Sequence, residues 1–148
     1  MPPISPNPFA LTKTVLKKLA AKKLAEANTL FAAGHYHGSC YIVGYVIEFA
    51  FKARICKLLK LTDYPDKMQS YKTHNLKELV ILAGLSAELT TKTTQNIQFK
   101  TYWETLINWT SEIRYRPIDS ITQQTAIDTI QAVQDPQDGI FTWLKLKW

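Results

Sequence analysis

An all-α fold, an up-and-down antiparallel bundle of four main helices plus a short helix, is what this sequence predicts, and three observations carry the prediction. Apolar residues recur at helical spacing along most of the chain, glycine and proline interrupt them, and almost no stretch alternates as a strand would. At 148 residues, with 46% hydrophobic and 11% aromatic residues, the chain is long and apolar enough to bury a core, which argues against disorder.

Pro2, Pro3, Pro6 and Pro8 make residues 1–8 a flexible proline-rich leader to a single helical domain over residues 9–148. The first helix is expected from about Phe9 to Ala33, with apolar positions Leu11, Val15, Leu19, Leu24, Ala27 and Phe31 and a stop at Gly34. After the short turn "GHYHG", a second helix over about 36–60 should return antiparallel to the first. Its apolar residues point in most directions, which makes it the central helix. "TDYPDKMQSYKT" reads as a polar loop, and Thr73 as the cap of a short helix through "HNLKELVILAG" that Gly84 ends. Ser86 or Thr90 opens the next segment. A fourth main helix, placed from about 93, carries apolar or aromatic residues at 99, 102, 103, 106, 109 and 113 and ends at Pro117. The last, with Ile121, Ile127, Ile130 and Val133 on one face, is kinked or broken near Pro136 and Gly139.

Net charge is +6, and residues 1–60 carry it, with nine Lys or Arg against Glu26 and Glu48. Lys13, Lys17, Lys18, Lys22 and Lys23 fall on adjacent turns of the first helix. They form either a solvated face or an electrostatic surface for nucleic acid or an acidic partner. The longest uncharged run, residues 27–47, holds Asn28, His35, His37, Ser39 and three glycines, so no membrane span is expected. The N-terminal lysines are interleaved with leucines and nothing resembles a cleavage site, which points to a mature N-terminus and a cytoplasmic protein. Cys40 and Cys56, sixteen residues apart on one helix, lie roughly 24 Å apart and cannot form a disulfide. They read as core thiols. Neither a Cys-x-x-Cys nor a second ligand pair joins His35 and His37, so no metal and no cofactor are expected.

No phosphate-gripping glycine loop, His-Glu-x-x-His or Gly-x-Ser-x-Gly motif appears, which points away from an enzyme of those classes. What stands out is Glu48 with Lys52, one turn apart inside the most apolar helix. A partly buried carboxylate is costly without partners, and an i,i+4 lysine contributes only about 0.3–0.5 kcal/mol. An arginine from a neighbouring helix is the other candidate. Of the three arginines in the chain, Arg114 and then Arg116, in "SEIRYRP", are the expected partners across the bundle.

"LFAAGHYHGSCYIVGYVIEFAFKARI", followed by "THNLKELV" and "WTSEIRYRP", resembles the HEPN domain, a small helical bundle of prokaryotes and a few larger eukaryotic proteins. The resemblance spans roughly residues 10–145, with Gly-Tyr-x-Ile-Glu-x-Ala-x-Lys as its strongest element. It implies a polar cluster of Glu48, Lys52 and Arg114 inside the bundle. Ribonuclease members, often toxins, carry an Arg followed four to six positions later by a His, paired across a dimer. Here neither Arg114 nor Arg54 is followed by that histidine.

His74 is open to two readings, as a catalytic substitute or as a capping and packing residue, and His35 and His37 are expected in solvent. The resemblance therefore implies a non-catalytic module for nucleotide or protein-partner binding, probed through Arg114, Arg116 and Lys52 with His74 and Tyr115 as secondary candidates. A homodimer and a nucleotidyltransferase-type partner, as in toxin–antitoxin pairs, go with it. Trp103, Trp109, Trp143 and Trp148 are the expected exposed contact residues. The alternatives are an atypical HEPN ribonuclease acting on RNA and a helical scaffold docking an acidic partner through its first helix.

Overall fold

The computed structural model describes residues 7–148, so Pro2, Pro3 and Pro6 of the expected leader lie outside the described residues. Among the described residues seven α-helices follow in order: α1 (Lys13–Ala32), α2 (Tyr36–Leu59), α3 (Leu76–Leu82), α4 (Ser86–Gln95), α5 (Ile97–Ile107), α6 (Gln123–Gln134) and α7 (Ile140–Leu144). Short 3-10 turns at Gln69–Tyr71, Ser111–Tyr115 and Ile118–Ser120 fill the connections. The all-α bundle is what the periodicity predicts. Among the described residues no helix is long and apolar enough to cross a membrane.

α1 starts at Lys13 and not at Phe9, because the Thr12 side chain accepts from the Val15 N–H and so sets the N-terminus. Gly34 ends it at φ +80°, a left-handed conformation that costs glycine little, with the His35 N–H bonded back to the Leu30 carbonyl at 2.8 Å. The chain then reverses into α2. Ser39 Oγ donates to the Ala27 carbonyl at 2.9 Å near this turn, while Lys17 and Lys57 meet Trp148 at the other end of the pair. That register makes the two helices antiparallel, as the short loop requires. The buried stripe of α1 is Leu16, Ala20 and Ala27; Val15, expected inside, is 38% exposed.

α2 is central. It packs against α1, α3, α6, α7 and the Ser111–Tyr115 turn, which is why its apolar residues need no single face. Val43, Ile47, Ala50, Phe51 and Ile55 are fully buried, and burial of each large one is worth about 1.5–3 kcal/mol relative to exposure. Cys40 and Cys56 are buried free thiols.

The second half departs from the expected helix map. The threonine-rich segment forms its own helix, α4, and Asn96 then starts α5 by accepting the Phe99 N–H. α5 ends at Ile107, well before Pro117. Trp109 leaves the helix to fill the space over Gly44, and Thr110 caps a new 3-10 turn by accepting the Glu112 N–H. α3 is capped by Asn75, whose side chain accepts from the Lys77 and Glu78 N–H groups; Thr73, the expected cap, accepts instead from the Asn75 N–H.

The last helix is broken and not kinked. Asp135 supplies the break. Its carboxylate accepts from the Asp138 N–H at 2.8 Å and the Gln137 N–H at 2.9 Å, and its carbonyl takes the Gly139 N–H and the Thr142 hydroxyl. Arg54, on α2, closes this end by donating to the carbonyls of Ala83 and Lys147, each at 3.2 Å.

Candidate functional site

Helical spacing puts Tyr41, Tyr45, Glu48 and Lys52 on one strip of α2, and the elements packed against that strip decide what each can do. Glu48 is 1% exposed. Lys52 Nζ lies 3.5 Å from its Oε1, in the orientation the sequence predicts, and then rests 5.0 Å from the centre of the Tyr64 ring. The second partner of the carboxylate is His74, whose Nδ1 bonds Oε1. A carboxylate oxygen only accepts, so Nδ1 donates and Nε2 is left as the free ring nitrogen. The imidazole side chain is 59% exposed, so it shields the carboxylate on one side and meets solvent on the other. His74 reaches this position because the segment between α2 and α3 is tied down. The Tyr64 N–H donates to the Leu11 carbonyl at 2.8 Å and the Tyr64 hydroxyl to the Tyr71 carbonyl at 2.6 Å.

Arg114 is not a partner of Glu48. It sits on the exposed side of the Ser111–Tyr115 turn, where Ile113 takes the inward position. Its Nη1 donates to the Ser111 carbonyl at 3.0 Å, and its guanidinium lies 4.6 Å over the ring of Tyr115. Tyr115 and then Tyr41 support its charge and raise its pKa further above the ordinary arginine value. Arg116, exposed as well, makes no ion pair among the described residues, and its carbonyl accepts from His37 Nε2 at 3.1 Å. His37 is therefore half-buried and tied to this turn, and not free in solvent, whereas His35 is exposed.

Tyr45, a residue the sequence reading passed over, joins the two ends. Its hydroxyl bonds that of Tyr41 at 3.2 Å, and its ring meets the His74 and Trp109 rings edge-on. Burial, then Tyr41, then the Glu48 carboxylate push its phenol well above the ordinary range, and Arg114 opposes the shift. Glu48 and Arg114 thus flank Tyr45 without touching. Its i,i+4 spacing from Tyr41 was the available signal.

Trp109 holds this arrangement by its edge. Its Nε1 donates to the Cys40 carbonyl at 3.0 Å, and its ring lies so close to Gly44 that a Cβ there would come within 1.9 Å of it. Trp103, Trp109 and Trp143 are buried, which removes them as surface contact residues. The exposed apolar side chains include Tyr115, at 71%, and Ile118 beside it. On the first helix, Lys23 pairs with Glu26 at 2.8 Å and Lys17 lies over Trp148, while Lys18 and Lys22 face solvent. The five lysines are not one continuous free surface. Among the described residues no group of three or more His, Cys, Asp or Glu side chains is placed to hold a metal ion.

Fold and site together define a helical bundle whose central helix carries a buried carboxylate and amine, with an imidazole from the following connection closing over the carboxylate. The model of one protein family, the HEPN domain, matches residues 14–135, and the chain belongs to that family. Searches against curated proteins and against solved structures found no match.

Proposed function

We propose that this HEPN chain is a binding module that takes the phosphate of a nucleotide at Arg114. The observation that carries the reading is the separation of Arg114 from Glu48. Because His74 and Lys52 serve the buried carboxylate, the arginine is left with a carbonyl and two tyrosines, and no carboxylate pairs with it among the described residues. A guanidinium set on an aromatic ring and short of acceptors is suited to a phosphate, and Tyr115 offers a base a face to stack on. Tyr115 and Ile118, exposed on two successive 3-10 turns, also fit contact with a second copy of the chain or with a nucleotidyltransferase-type partner protein.

One observation favours ribonuclease chemistry as a second reading. An imidazole oriented by a buried carboxylate, with its far nitrogen in solvent, is the arrangement of a general base, and it opens on a cavity lined by Lys77, Thr110 and Ser111 as well. His74 would take the proton of a ribose 2′-hydroxyl.

Calorimetric titration with ATP, GTP and a short single-stranded RNA, with the RNA followed for cleavage, separates the readings. Saturable nucleotide binding that Arg114→Gln removes, with intact RNA, supports the binding module. Cleavage that His74→Ala abolishes replaces it with the nuclease. Neither binding nor cleavage leaves a protein partner as the function of the Tyr115 and Ile118 surface.

A further inference from the structure

Trp109 is a wall common to two cavities, the one beside His74 and another between α2, α5, the Ser111–Tyr115 turn and α6. The second holds ≈ 230 Å³. Ile113, Ile121 and the Trp109 ring give it apolar walls, Asn108, Thr125 and Thr129 polar ones, and none of its lining residues is acidic. Arg116 stands among them. Its backbone is fixed on both sides, since its N–H donates to the Ile113 carbonyl at 3.0 Å and its carbonyl accepts from His37. Asn108 Nδ2 gives one hydrogen to the Glu104 carbonyl and keeps the other. Burial pushes the Cys40 thiol up, so no thiolate competes for the arginine.

We propose that this crevice binds a small anion with a short apolar tail, its phosphate or carboxylate head on Arg116 and its tail against Ile113, Ile121 and Trp109. Size sets the class. Pockets for drug-sized ligands run to about 300–1,000 Å³, and a smaller crevice admits a few heavy atoms beyond the head group and not a nucleoside. The site is separate from Arg114.

The test uses the full chain and three probes: propyl phosphate, butyrate and inorganic phosphate, followed by calorimetry and by the Trp109 indole N–H resonance. One of the tailed anions should bind saturably and more tightly than inorganic phosphate, shifting that resonance, and which of them binds identifies the head. Arg116→Gln should weaken it by about tenfold or more, while Arg114→Gln leaves it unchanged. Thr125→Leu, which fills the crevice with Arg116 still present, should abolish it. No saturation by either tailed anion, or binding that survives Arg116→Gln in a folded variant, overturns the proposal.

Discussion

His74 bonds Oε1 of Glu48 through Nδ1, so an imidazole that is mostly in solvent closes over a carboxylate that is almost entirely out of it. The carboxylate thus has two cationic or donor partners of different kinds, and they are not equivalent. Glu48→Ala strands the Lys52 amine, whose side chain is 10% exposed, and should cost about 3 kcal/mol. Lys52→Met keeps the buried stem and leaves the carboxylate its imidazole, at about 1 kcal/mol. Urea denaturation measures both. Equal losses, or the reverse order, would make Lys52 and not His74 the main support of Glu48.

Gly44→Ala is expected to be among the most damaging small substitutions in the chain. The new methyl would overlap the Trp109 ring, which is held by its bond to Cys40, and overpacking of this kind costs about 1–3 kcal/mol or more. Trp109→Leu in the same chain should recover part of the loss, because the clash is shared between the two positions. Near-UV circular dichroism and urea midpoints read the effect; additive losses would place the damage elsewhere.

Asp135 sets an acid limit on the break between α6 and α7. The Asp138 and Gln137 N–H groups hold its carboxyl below the ordinary carboxylate range. Between the native and unfolded pKa values the unfolded chain binds more protons, so stability rises with pH there. The contribution is complete above about pH 4 and is lost as the pH falls through the native pKa. Asp135→Asn should therefore be less stable than the parent at neutral pH and lose less on acidification. Thermal unfolding at pH 7 and pH 3 tests this, and parallel losses in both proteins would refute it.

Arg114→Gln should leave stability within about 0.5 kcal/mol, since the side chain is exposed and supports nothing buried. Its expected effect is on nucleotide binding alone, lowered by about tenfold or more by calorimetry. A matching loss of stability would return Arg114 to a structural role.

The helix map was legible wherever the signal is local. Gly34 ends α1, α2 runs almost as its apolar run does, and the all-round burial of that helix announces Glu48 as an internal charge. Legibility failed at Val15 against Leu16, because both positions continue a helical apolar stripe and only the packing of α2 selects one. It failed again at α5, where the spacing carries on through Trp109 and Ile113 but the chain turns. A tryptophan that fits over a glycine on another helix ends α5 for a reason outside its own sequence.

By itself the amino-acid sequence determined that this chain is helical, that α2 lies at its centre and that Glu48 needs a partner, because periodicity, turn residues and charge in an apolar run are properties of neighbours along the chain. Only the tertiary structure decided which partner answers. Arg114 and His74 are far from Glu48 in sequence and both are chemically suitable, so the choice rests on where two connecting segments run. The Tyr64 and Tyr71 contacts carry His74 to the carboxylate, while Ile113, taking the inward place on its turn, leaves Arg114 outside.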